Sequence, residues 1–200
     1  MNYLAHIHIG FHTQTSLLGN FLGDFVKGNI NDTLPQSLAD GVRLHRKVDQ
    51  FTDQHPLVLN LRQKFPDSLR RVSGIVIDIM FDHCLLKQWN NFTQRAESEV
   101  LEHFYQQLHE FKGVDHPHFK RLSASLIKSK WLIDYRNLST CLNAFLSIEH
   151  RLKYKIVFAH DAYAFVQAEQ RLFDTIFSAF YPALLEYALH CKKQLANQHY

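Results

Sequence analysis

Glycine and proline are scarce, seven and five in a chain of 200, and five of the seven glycines fall before residue 66. No Gly/Ser/Pro-rich linker, fixed-period repeat, GxGxxG or GxxxxGKS loop occurs, so neither an array of repeats nor a phosphate-cradling glycine loop is expected. Cysteine is equally thin. Cys84, Cys141 and Cys191 are an odd, scattered set without CxxC spacing, which argues against a disulfide frame or structural zinc and for reduced thiols of a cytosolic protein. The start, MNYLAHIHIGFH, lacks a basic n-region and a long apolar run, and no later stretch reaches the length of a membrane span. A soluble, cytoplasmic protein with no membrane partner is the expectation. No GxSxG elbow is present, and a net charge of +3 is too slight to argue for nucleic acid.

What is plentiful is apolar and imidazole. Apolar residues make 46% of the chain and phenylalanine alone sixteen, enough to exclude disorder and fill one core. Fourteen histidines raise the prospect of metal or acid–base chemistry without locating it. Helical patterns run from residue 15 onward: Ser16 to Val26, Ser37 to Asp53, Pro56 to near Pro66, and the apolar Arg70 to Asn90. Further patterns cover Glu97 to Phe111, His118 to Lys130, Asp134 to Arg151, Val157 to Phe180, and Pro182 to Leu195 before a frayed polar tail. A polar run, NINDT, follows the first of these helices. Only HIHIGF alternates like a strand. The expectation is an all-α, single-domain helical bundle over residues 1–200.

Polar groups gather on two of these helices. In RLHRKVDQFTD, His45, Asp49 and Asp53 recur every four residues and share one helix face. Two readings stand: pairing with Arg43, Arg46 or Lys47 in solvent, or a site. In IVIDIMFDHCLL, Asp78, Asp82 and His83 sit among apolar residues on nearly every side, which predicts burial. A buried carboxylate must be paired or bound to a cation, so this helix carries either an Asp–Arg network, with Arg43, Arg46, Arg70 or Arg71, or a metal site shared with the facing helix. Asp24, at the end of GNFLGDF, is a third contributor or a helix-end hydrogen-bonding group. His6 and His8, two apart, share one side only on an extended segment; a hydrogen-bonded core histidine is the commoner fate of either. The HD dipeptide His160-Asp161 has no second cluster around it. Oxygen-rich ligation with one or two imidazoles suits Mg²⁺, Mn²⁺ or Fe²⁺, ions that serve phosphate-ester hydrolysis.

NYLAHIHIG, GNFLGDFVKG, GVRLHRKVDQFTD with the following Pro56, RRVSGIVIDIMFDH, and FYP at 180–182 together resemble the acyl carrier protein phosphodiesterases, in the same order over nearly the whole chain. The resemblance implies hydrolysis of the phosphodiester that joins 4'-phosphopantetheine to a serine of acyl carrier protein. It also implies a helical fold distantly similar to HD-type metal phosphohydrolases, and a divalent ion, most often Mn²⁺. Matched motifs contain Asp24, His45, Asp49, Asp78, Asp82 and His83. The HD pattern is His then Asp, whereas this chain has Asp82 then His83, so ligand order does not transfer. The resulting assignment makes Asp24, His45, Asp49 and Asp82 metal ligands, with Asp78 and His83 as a catalytic acid–base pair or orienting groups.

An acidic carrier protein fits the charge. Arg43, Arg46, Lys47, Arg70 and Arg71 are the candidate rim that would steer it in. Two other functions compete: an HD-like phosphohydrolase of a small nucleotide such as a guanosine polyphosphate, and a non-catalytic bundle that binds the carrier. The latter predicts arginines on Asp49 and Asp82. Phe104, Tyr105 and Trp131 are expected in the core.

Overall fold

Helices account for the regular structure of the computed structural model, which describes residues 1–30, 34–113 and 116–197. Residues 31–33 of the polar run and 198–200 of the tail lie outside the described residues. The first helix, α1 (Tyr3–Thr13), takes up the HIHIGF segment, and no strand occurs among the described residues. Seven consecutive residues from Leu4 to Gly10 are buried. A helix enclosed on all sides needs no polar stripe, so it carries no 3.6-residue signal to be read.

A short helix, α2 (Leu17–Leu22), is capped by the Ser16 hydroxyl, which accepts from the Gly19 N–H at 2.9 Å. It crosses α3 (Gln36–Gln54) almost backbone to backbone. A Cβ on Gly41 would sit 2.6 Å from the Gly19 carbonyl carbon and 2.7 Å from Asn20 N. That contact sets where the α3 side chains face α1 and α2. Pro56 then opens α4 (Pro56–Gln63), and a single turn, α5 (Asp67–Arg70), leads into α6 (Ser73–Lys87). Eleven of the fifteen α6 residues are buried, as the apolar run predicts.

The second half comprises α7 (Glu97–Glu110), α8 (Pro117–Ser129), a 3₁₀ segment at Trp131–Arg136, α9 (Ser139–Arg151), α10 (Ala159–Ala168) and α11 (Gln170–Asn197). The α11 helix lies against α1, α3 and α6. The helix expected to end at Phe180 instead runs through Pro182, and the break falls earlier, at Glu169. An interior proline costs about 3 kcal/mol. Phe177, Phe180, Leu184 and Leu185 around it are all buried, each contributing about 1.5–3 kcal/mol, so packing outweighs the lost hydrogen bond. Phe104 and Tyr105 are core residues as expected, whereas Trp131 is only partly buried. No helix of the described residues is long and apolar enough to cross a membrane.

Candidate metal centre and adjoining cavities

Three ligand-bearing side chains meet where α1, α2 and α3 converge: His6, His45 and Asp49, with one donor atom of each within 4.8 Å of the others. The imidazoles of His6 and His45 stack with centroids 3.7 Å apart. Asp49 offers Oδ1 to His6 Nε2 and Oδ2 to His45 Nε2, each at 3.0 Å. Gly23 makes the room, since a Cβ there would come within 2.1 Å of the His45 ring.

The tautomers follow from the partners. His45 Nδ1–H donates to the Asn20 carbonyl at 2.8 Å, a bond that orients the ring and leaves the Nε2 lone pair directed at Asp49. A lone pair and a carboxylate oxygen 3.0 Å apart are two acceptors, and they need a proton or a cation between them. His6 is neutral at pH 7: burial lowers its pKa to about 4, the neighbouring His45 adds to this, and Asp49 opposes it. Burial works to raise the Asp49 carboxyl, but His6, the two imidazole hydrogen bonds and the N-terminal ammonium together hold it well below the usual carboxylate range. Two imidazole nitrogens around one carboxylate are a donor set a divalent ion takes, and the residues present fit one.

A second carboxylate adjoins this corner. The Met1 ammonium lies 3.2 Å from Asp49 Oδ1 and 3.1 Å from Asp78 Oδ1, so the two carboxylates reach one cation. Burial opposes the charge of that amine, yet Asp78 and Asp49 raise its pKa to about 11. Asp78 is itself pushed up, first by burial, with the ammonium pulling the other way. Met1, Asp78 and Asp24 line a cavity of about 210 Å³, which shares Tyr3, Ile79, His118 and Arg151 with a larger one of about 1060 Å³.

The sequence assignment is thus redistributed. His45 and Asp49 come together, and His6, which the sequence left open between a ligand and the commoner core histidine, completes the cluster. Its signal was present in NYLAHIHIG, but its partner lies 43 residues away on α3. On α1 the two histidines of HIH diverge: His8 turns to the Tyr181 hydroxyl, 2.9 Å from its Nδ1. Asp24 is half-buried on the cavity wall, outside the three-residue cluster.

Asp82 requires a correction. Its two oxygens accept the N–H groups of Leu4 and Ala5 at 3.0 and 2.9 Å, so it caps the α1 N-terminus from another helix and is not brought to the cluster. Asn2, in the N-cap position, makes no side-chain cap, and Asp82 takes over that task. His83 is likewise separate from Asp78, because five residues on a helix turn the side chains about 140° apart. Its Nδ1–H donates to the Tyr135 carbonyl at 2.7 Å.

The basic rim is mostly engaged locally. Arg43 pairs with Asp40 at 2.8 Å, Arg46 donates to the Val26 carbonyl at 2.9 Å, and Arg70 pairs with Asp67 at 2.6 Å. Lys47 is half-buried and Arg71 exposed. Asp53, the third member of the α3 stripe, pairs with Arg62 at 2.6 Å. Among the described residues no arginine forms an ion pair with Asp49, Asp78 or Asp82, contrary to the Asp–Arg network and to the pairing that a non-catalytic bundle predicts.

A helical fold with a His₂Asp corner beside carboxylate-lined and arginine-lined cavities defines a class: an α-helical protein with a corner compatible with a divalent ion. Comparison with known proteins makes this specific. Residues 1–184 match the family model described as acyl carrier protein phosphodiesterase, and the chain belongs to that family. Among its relatives, the acyl carrier protein phosphodiesterase of Yersinia pestis is 34% identical, covering 95% of this chain and 98% of its own. That of Photorhabdus laumondii is 32% identical over 94% and 95%, and that of Escherichia coli O139:H28 is 30% identical over 95% and 98%. No solved structure matches the chain.

Proposed function

We propose that this protein hydrolyses holo-acyl carrier protein to apo-carrier and 4'-phosphopantetheine, with His6, His45 and Asp49 holding the required divalent ion. The observation that carries the reading is the convergence of two imidazoles on one charged carboxylate, 3.0 Å from each, beside a cavity that contains two more carboxylates. Two nitrogen donors with one oxygen favour a borderline ion, Mn²⁺ or Fe²⁺, over Mg²⁺, which prefers oxygen alone. Such an ion supplies polarisation of a phosphoryl oxygen and a water of lowered pKa.

The chain's own residues do the rest. The Asn20 carbonyl takes the His45 Nδ1–H and so turns Nε2 toward Asp49, and burial disfavours the charged form of His6, which would compete with an ion. Asp78, on the wall of the adjoining cavity, is assigned to deliver a proton to the serine oxygen as its bond to phosphorus breaks. Arg151, at the junction of the two cavities, balances the phosphodiester charge.

The test is incubation of the purified protein with holo-carrier and Mn²⁺, read by mass for loss of the prosthetic group. Conversion to apo-carrier with release of 4'-phosphopantetheine is expected. No mass loss, or turnover of a guanosine polyphosphate in its place, would sink the reading.

A further inference from the structure

The larger cavity, about 1060 Å³, slightly exceeds the roughly 300–1,000 Å³ of small-molecule sites and lies between α8, the 131–136 turn and α9. No residue of the His₂Asp cluster lines it. It nevertheless opens from the carboxylate cavity, because Tyr3, His118 and Arg151 belong to both. At this junction Arg151 donates from Nη1 to His118 Nε2 at 3.2 Å, and among the described residues it forms no ion pair with a carboxylate. His118 is disposed to stay neutral, by burial first and then by the charges of Arg151 and Arg121. A guanidinium free of carboxylates beside a neutral imidazole suits a phosphate oxygen.

Beyond the junction the wall is a ruled surface. Thr140, Asn143, Ala144, Ser147, Ile148 and Arg151 recur at steps of three and four, so one stripe of α9 lines the trough from end to end. The twelve residues from Thr140 to Arg151, eleven steps of the helix, span about 16 Å along its axis. A 4'-phosphopantetheine arm has fourteen chain atoms from phosphorus to sulfur, equivalent to between four and five extended residues, also about 16 Å. The stripe supplies amide and hydroxyl partners for its two amides, while Leu122 and Trp131 on the opposite wall supply apolar surface for its methylenes and paired methyls.

We propose that this trough is the channel for the 4'-phosphopantetheine arm. Arg151 and His118 take the phosphate at the end shared with the smaller cavity, where the carrier serine is joined, and the thiol lies toward Thr140 and Asn143. Arg121, on the same wall as His118, then places positive charge where the acidic carrier follows its arm. The carrier-facing surface is the α8–α9 side rather than the α3 and α5 arginines. The inference rests on the phosphodiesterase reading.

Placement of the thiol tests it. Holo-carrier whose terminal thiol is held as a mixed disulfide with thiopyridine is mixed, without added metal, with the Asn143→Cys variant of the full chain. The new thiolate attacks the arm sulfur, a protein–arm disulfide forms, and thiopyridone leaves with the displaced electron pair, so no further oxidant is needed. Cys84, Cys141 and Cys191 are all buried and give little background. An Ala179→Cys variant, exposed on α11 and off the trough, is the control. Conjugation at least tenfold faster at Asn143→Cys is expected; equal rates would overturn the channel. In parallel, Arg151→Ala should raise KM for holo-carrier at least tenfold, and Arg151→Lys should recover part of it; an unchanged KM also counts against the channel. Wild type that hydrolyses carrier while Asn143→Cys conjugates no faster than the control refutes the channel alone. Wild type without hydrolysis but with fast conjugation refutes the proposed reaction and upholds the channel.

Discussion

Asp49 and Asp82 are the two carboxylates most alike in sequence setting and most different in place. Each lies four residues after another polar group on its helix, His45 for Asp49 and Asp78 for Asp82, and both helices bury much of their length. Asp82 is fully buried and its two oxygens are taken by amide N–H groups. Asp49 is half-buried, and its oxygens face ring nitrogens. Burial of a carboxylate therefore identifies a need for partners without saying which. Glu149 repeats the Asp82 arrangement: it is buried and accepts the Phe158 and Ala159 N–H groups at the start of α10. This fold uses two fully buried carboxylates as caps and leaves a partly open one facing two imidazoles.

The contrast breaks most visibly by exchanging consequences. Asp49→Asn should cut turnover of holo-carrier more than about 100-fold, beyond the 10–100-fold typical of outer partners of a metal, while the thermal transition stays near wild type. A variant that merely melts earlier would give Asp49 a structural role. Asp82→Ala should do the reverse. Leaving the Leu4 and Ala5 amides without acceptors costs about 1–3 kcal/mol each, so urea unfolding should show a loss of about 2–6 kcal/mol with activity per folded molecule within a few-fold. Ion affinity lost with the fold intact would restore Asp82 as a ligand.

Smaller effects sharpen the same boundary. In Gly23→Ala the added methyl displaces the His45 ring and should weaken Mn²⁺ binding about 10–100-fold, measured by calorimetry. An unchanged affinity would mean His45 is not a ligand. The last prediction concerns His8, whose pKa burial lowers to about 3, with the charge of His12 adding to it. Between about pH 3 and 6.5 the unfolded chain binds the extra proton, so stability rises with pH across that window, with a slope approaching about 1.4 kcal/mol per unit from this residue. His8→Phe should flatten the slope of unfolding free energy against pH; an unaltered slope would place the titration elsewhere.

Much of this was legible before the fold. The all-α architecture, the buried α6 and the pairing of His45 with Asp49 follow from spacing and apolar patterning. His6 was not legible, because a helix buried all round leaves no periodic trace and the partner on α3 is remote in sequence. Asp82 misled because sequence shows a charge in an apolar run but not the amide groups that meet it. Pro182 misled because a local rule lost to the packing of Phe177, Phe180 and Leu184. The α9 stripe was hidden for a different reason: its residues are individually unremarkable and acquire meaning only opposite α8.

The most direct test of the central claim is the stoichiometry and affinity of Mn²⁺ binding, by calorimetry, in the wild type, Asp49→Asn and Asp82→Asn proteins. If His6, His45 and Asp49 hold the ion, wild type and Asp82→Asn bind it alike and Asp49→Asn does not. Equal binding by wild type and Asp49→Asn, or loss of binding only in Asp82→Asn, would contradict it.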